Sequence, residues 1–227
     1  AGAKPLSLDT QPLEFSPQNK GDYRRGTLSV NSPDGYTANL VYRAHRVLDH
    51  LPSLEGLPGP HGADECLSVI LSDQRGLSVE LRYGVFEQAD VIVRSMRVVN
   101  GTGAPVCLHR AMSFQLDLPG AGWTLTTFDG AWARERMVTE HPLGVGTVLF
   151  GSRTGNSSNR TNPFFMLCED EATEFFGRCY GCNLIYSGSF EGSAELSPMG
   201  VTRLMEGIQS DEFSWPLAPG EGFDTPW

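Results

Sequence analysis

The sequence predicts an all-β protein built from two packed antiparallel sheets, and three observations lead there. About a dozen apolar runs of strand length follow one another, several of them alternating with period two. Glycine (26) and proline (15) are frequent and fall mostly between those runs, where turns need them. No window of about twelve residues carries the apolar stripe of an amphipathic helix. Many short strands with regular turns bury their apolar faces best as one sheet packed on another. The 227 residues suit one large all-β domain as well as two small ones.

The runs read as follows in chain order. Ala1-Gly2-Ala3 reads as a cloning remnant, Leu6 to Phe15 as an edge strand, and Pro17 to Gly21 as a loop. Thr37 to Leu48 alternates imperfectly, and Pro52 to Ala63 is a loop punctuated by Pro and Gly. Cys66 to Leu71 and Leu77 to Phe86 are strands joined by the hairpin signal Ser72 to Gly76. Leu77, Val79, Leu81 and Tyr83 share one face of the second. Val91 to Val99, the turn Asn100 to Gly103, and Val106 to Leu118 follow. Trp123 to Phe128 and Gly144 to Phe150 flank a loop around Trp132. Phe164 to Leu167 and Cys179 to Tyr186 form a hairpin across an acidic turn, Glu169 to Glu174. Phe190 to Leu196, Val201 to Ile208 and Phe213 to Leu217 complete the set.

A net charge of −10 argues against a nucleic-acid or anionic-membrane surface. No apolar run approaches the roughly eighteen residues needed to span a bilayer, and no signal peptide is visible. The five cysteines, Cys66, Cys107, Cys168, Cys179 and Cys182, form no tight framework and read as free thiols of a reducing, cytoplasmic compartment. The glycosylation triplets at Asn100, Asn156 and Asn159 would stay unmodified there.

Few residues assemble into recognisable chemistry. Cys179-x-x-Cys182 lacks the second ligand pair that zinc requires and the helix that a redox motif requires, so it reads as two thiols near a strand. His45, His50, His61, His109 and His141 have no metal-binding spacing, so no metal and no cofactor is expected. The carboxylates Glu169, Asp170, Glu171 and Glu174 read as a solvated turn rather than a hydrolytic pair. Gly21-Asp22-Tyr23-Arg24 is more suggestive. A ring face suits the C–H side of a sugar and charged groups suit its hydroxyls, but on the residues alone a surface loop with an Asp–Arg contact is the favoured reading. Trp132 reads as a core tryptophan beside an Arg134–Glu135 pair, with sugar binding as the other reading. The polar run Ser152 to Asn162 reads as an interface to another domain, with a cap on the sandwich or a ligand site as the other readings.

Several motifs in one order also resemble a known family. They are Gly21 to Arg24, Leu54-Glu55-Gly56-Leu57-Pro58, Arg110-Ala111-Met112-Ser113 and Gly130-Ala131-Trp132-Ala133-Arg134-Glu135. With them come S-R-x-G-x-S-S-x-x-x-N-P-F from Ser152, A-T-E-x-x-G-x-x-Y-G from Ala172, L-x-Y-S-G from Leu184 and Leu217 to Glu221. Together they are similar to the N-terminal domain of the glycoside hydrolase family 36 α-galactosidases, from about Gly21 onward. The resemblance implies a single β-supersandwich over residues 1–227. It also implies a parent enzyme that removes terminal α-galactose from raffinose-type oligosaccharides by a retaining double displacement. The catalytic carboxylates then belong to a TIM barrel beyond Trp227, and no catalytic residue is assigned here. The remaining role is to support a homo-oligomer and help shape the pocket. Asp22, Tyr23 and Arg24 would lie exposed and reach a neighbouring subunit's pocket, with Trp132 as a further candidate contact. A self-standing carbohydrate-binding sandwich is the alternative.

Overall fold

The computed structural model of the chain describes residues 7–18, 20–35 and 37–227. The strands are β1 (Leu28–Asn31), β2 (Val41–Leu48), β3 (Glu65–Ser72), β4 (Leu77–Phe86), β5 (Val91–Asn100), β6 (Val106–Pro119), β7 (Trp123–Ala131), β8 (Arg134–Pro142), β9 (Gly146–Ser152), β10 (Thr161–Glu169), β11 (Cys179–Asn183), β12 (Phe190–Leu196), β13 (Val201–Ile208), β14 (Trp215–Leu217) and β15 (Gly222–Asp224). Two 3-10 turns, Leu8–Thr10 and Glu87–Ala89, are the helical structure among the described residues. The fold is thus all-β and antiparallel, as expected. Its ladders fall into three sheets, ordered β1-β6-β13-β12 with β14 also on β6, β11-β10-β7-β8, and β15-β5-β4-β3-β2.

Strand β6 links the first sheet to both of the others. Its 14 residues reach about 46 Å at about 3.3 Å per residue, enough to serve two cores. Val106, Leu108 and Ala111 pack with Leu77, Val79, Leu81, Met96 and Val98 of the third sheet. Further along, Phe114, Leu116 and Leu118 pack against Trp123, Leu125, Phe165 and Leu167 of the second sheet. Burial alternates at first from Val106 but does not keep one phase along the strand. The register shifts opposite Ser29/Val30 and again opposite Glu206/Gly207, and each extra residue exchanges the two faces.

The strand β4 matches its sequence reading, with Leu77 and Val79 fully buried on one face. Strand β2 differs, because at the sheet edge it buries almost nothing on either side. Strands β1, β8 and β15 were not legible. β8 is a polar edge strand whose apolar Met137 and Val138 are adjacent rather than alternating. β11 stops at Asn183 instead of reaching Tyr186, since the Ile185 N–H donates to the Trp227 carbonyl at 2.8 Å.

The expected edge strand from Leu6 to Phe15 is not formed. Leu6 and the Ala1–Ala3 stretch lie outside the described residues, and Leu8–Thr10 is a 3-10 turn. Side chains take the place of a ladder here. Leu13 donates its N–H to Asp117 at 2.9 Å, and Gln115 donates to the Leu13 carbonyl at 2.8 Å.

One buried group is exceptional. Glu206 on β13 is fully buried on the face it shares with Leu204, and neither carboxyl oxygen has a hydrogen-bond partner. Burial holds its carboxyl well above the usual range.

Candidate functional site

The loop that carries Gly21 to Arg24 is pinched at its base. Gln18 donates its N–H to Leu28 and Thr27 donates to Ser16, both at 2.8 Å. Gly26 sits in that pinch, where a Cβ would lie 3.0 Å from the Gln18 nitrogen. Gly21 turns the chain with φ 85°.

Beyond that turn the backbone alternates, and the alternation sorts the three candidate residues. Asp22 and Arg24 point into the protein, and Tyr23 points out. The expectation that all three lie exposed is therefore corrected. Tyr23 is 88% exposed, whereas Asp22 is 7% and Arg24 5% exposed.

Asp22 and Arg24 belong to a closed box of four charges with Asp117 of β6 and Arg203 of β13. The Arg24 Nε donates to Asp22 Oδ1 at 2.8 Å, and its Nη1 donates to Asp117 at 3.0 Å. Arg203 donates to Asp117 Oδ1 from Nε and to Asp22 Oδ2 from Nη2, each at 2.7 Å. Ser16 donates to Asp22 at 2.7 Å. The second Arg24 terminal nitrogen donates to the carbonyls of Leu8 and Gln11, both at 2.9 Å. Burial works to raise the Asp22 carboxyl, but Arg24, Ser16 and Arg203 outweigh it and hold it below the usual carboxylate range. Two carboxylates and two guanidiniums balance, and their donors and acceptors are engaged with one another. These groups have nothing left to offer a sugar hydroxyl. Their chemical work is to fasten the loop to β6 and β13, which leaves the Tyr23 ring projecting from a rigid base.

Trp132 stands on a second rigid base. It occupies the turn of the β7–β8 hairpin, where Ala131 pairs with Arg134. Ala133 takes φ 61°, and its N–H donates to Glu135 Oε1 at 2.9 Å. Gly130 is needed because a Cβ there would sit 2.4 Å from the Arg134 carbonyl oxygen. The core reading of Trp132 is corrected, since the side chain is 86% exposed. No Arg134–Glu135 ion pair forms among the described residues; Glu135 caps the turn instead. Both corrections have one source, since residue type alone does not tell which side of an extended segment meets the core.

The polar run after Ser152 folds back on itself and on the segment before β12. Ser152 donates to the Asn156 carbonyl at 2.6 Å, and Ser157 donates its N–H to Ser187 at 2.8 Å. Cys179 and Cys182 diverge because residues three apart on a strand face opposite sides. Cys182 faces the second core and Cys179 lies exposed. All five thiols are free. Among the described residues no group of three or more His, Cys, Asp or Glu could hold a metal ion. No helix there is long and apolar enough to cross a membrane.

Comparison with known proteins agrees with this architecture. A family model described as the glycosyl hydrolase family 36 N-terminal domain matches residues 1–218. The chain is 38% identical over 226 residues to the bifunctional α-galactosidase/sucrose kinase AgaSK of Mediterraneibacter gnavus, covering 97% of this chain and 24% of that protein. It is 37% identical over 227 residues to the α-galactosidase AgaA of Geobacillus stearothermophilus, covering 97% of this chain and 31% of that protein. The solved structure of an AgaA variant in complex with raffinose superposes with a TM-score of 0.94 at 37% identity, over 97% of this chain and 32% of that one. The α-galactosidase from Lactobacillus brevis gives 0.93 at 36% identity, over 97% and 30%. This chain therefore spans about a quarter to a third of the length of the relatives it matches, and it belongs to the glycosyl hydrolase family 36 N-terminal domain family.

Proposed function

We propose that this chain is the N-terminal, non-catalytic domain of a retaining α-galactosidase acting on raffinose-type oligosaccharides. The observation that carries the reading is its likeness, along nearly its whole length, to the corresponding part of α-galactosidases, one of them solved with raffinose. The two carboxylates needed for double displacement belong to the rest of the enzyme. The domain's contribution is to help assemble a homo-oligomer and to complete the substrate pocket from outside. Tyr23 and Trp132 supply flat faces to that pocket, in trans. Asp22 and Arg24 act as positioning residues that hold Tyr23 in place.

Two measurements test the reading. The isolated chain should not turn over a chromogenic α-galactoside; turnover abolished by a point change within it would sink the non-catalytic assignment. In the full-length enzyme Tyr23→Ala should lower kcat/KM about two- to tenfold, the effect of losing one aromatic contact of about 0.5–1.5 kcal/mol. An unchanged kcat/KM would remove Tyr23 from the pocket.

A further inference from the structure

We propose that Cys168 and Cys179 form an oxidisable dithiol, closing to a cross-strand disulfide by exchange with a low-molecular-mass disulfide. The two residues are direct partners in the β10–β11 ladder. Their neighbours Glu169 and Arg178 are joined by a backbone hydrogen bond, N–H to carbonyl, at 3.0 Å. Cys168 and Cys179 therefore occupy the adjacent non-hydrogen-bonded position, where Cα atoms approach to about 4.5 Å. That separation lies within the range a disulfide spans. The Cys168 thiol already donates to Cys179 Sγ at 2.8 Å, so less than about 1 Å of movement completes the bond. Strand alternation excludes the sequence neighbour, Cys182, which faces the core.

The exchange has a built-in order. Burial and the hydrogen bond to Cys179 push the Cys168 thiol up to about 12, while Cys179 is exposed. Cys179 attacks first, as the thiolate, on one sulfur of R–S–S–R. A Cys179–S–S–R bond forms, the R–S–S–R bond breaks, and RS⁻ leaves with the electron pair. Cys168 then loses its proton and attacks Cys179 Sγ. The Cys168–Cys179 bond forms, and the second RS⁻ leaves. The protein gives up two electrons and two protons, and the small disulfide becomes two thiols. An exposed disulfide of this kind is readily reduced again. Its effect is to clamp the loop from Glu169 to Arg178. In the reduced state that loop is closed without a covalent link, by the Arg178–Glu169 ion pair and by backbone hydrogen bonds from Glu169 to Arg178 and from Thr173 to Phe176, and it carries the exposed rings of Phe175 and Phe176.

The test is to equilibrate the chain with glutathione disulfide in about tenfold excess over glutathione, near the poise of an oxidising compartment. Remaining thiols are then alkylated under denaturing conditions and mapped by digestion and mass. Labelled thiols should fall from five to three, with one cross-linked peptide joining Cys168 to Cys179. Cys168→Ser should stop at a glutathione adduct on Cys179, and Cys179→Ser should form no cross-link. Chymotryptic cleavage at Phe175 and Phe176 in the folded wild-type chain should slow on oxidation and recover with reductant. Retention of all five thiols, or a cross-link that uses Cys182, would overturn the proposal. So would cleavage at the two phenylalanines unaltered by the cross-link, because the loop would not then be clamped.

Discussion

Removing the Asp22 carboxylate should destabilise this domain severely, although Asp22 sits in what reads as a surface loop. Asp22→Ala leaves Arg24 and Arg203 sharing Asp117, with an uncompensated positive charge among side chains at most 2% exposed. Breaking a buried pair by removing one partner costs about 3–5 kcal/mol. For a domain of this size about 2–4 °C of Tm is lost per kcal/mol, so the transition should fall by about 6–20 °C. Calorimetry of wild type, Asp22→Ala, Arg24→Ala and the double variant measures the box directly. Removing both partners restores charge balance and leaves Arg203 on Asp117 at 2.7 Å. The double variant should therefore cost less than the sum of the single ones, by about 0.5–3 kcal/mol. Acid adds a second signature. The Asp22 carboxyl is held below its unfolded value of about 3.9, so its stabilisation is present above that pH. It is lost as pH falls through the folded value, and Asp22→Ala should flatten that acid limb. An Asp22→Ala cost below about 1 kcal/mol, as for an exposed ion pair, would refute the argument.

Three further outcomes follow from other parts of the fold. Glu206→Gln should remove a pH dependence: below about pH 4.3 both states of wild type carry the proton, and as pH rises toward the raised folded value only the unfolded state ionises, so wild-type stability declines; urea midpoints at pH 5 and pH 8 should converge in the variant, and an unchanged difference would exclude Glu206 as its origin. Gly130→Ala should destabilise by about 1–3 kcal/mol through its clash with the Arg134 carbonyl, and an unaltered melting curve would show that the hairpin relaxes freely. The chain alone should self-associate, since Met137, Val138, Val145 and Leu149 are exposed around β8 and β9; sedimentation of a strict monomer at high concentration would count against it.

The strands best read from sequence are those with one face in a core. Leu77 to Leu81 is one such stretch, since its period-two alternation records a single buried side, whereas beyond it Arg82 and Gly84 are buried on the other face. Strand β2 carries a similar pattern but lies at an edge with almost nothing covering it, so its alternation has no buried counterpart. β8 was hidden for a complementary reason: a polar edge strand has no apolar rhythm, and its pairing with β7 is set by the hairpin turn. At the candidate site the residue types were legible and their directions were not. Of the two residues that complete the charge box, Asp117 lies 93 residues beyond Arg24, and Arg203 lies a further 86 along the chain. Only the β6–β13 ladder, with Arg203 paired to Asp117, brings them together.

That long-range box gives the loop a mechanical logic. A ring that stacks on a ligand loses less entropy when its base is already fixed. Tyr23 obtains this from two inward-pointing neighbours, each anchored to strands far away in sequence. Trp132 obtains it locally, from a tight hairpin whose turn admits glycine at position 130 and holds Ala133 in the left-handed region. The two supports respond differently to change. Loss of an anchor around Tyr23 exposes a buried charge and threatens the whole domain. A change in the Trp132 turn is confined to one edge hairpin. Conservative changes at Asp22 or Arg24 should therefore lower folded yield before they alter a pocket, whereas changes at Tyr23 and Trp132, whose side chains touch little else, are the ones from which a contribution to the pocket can be read cleanly.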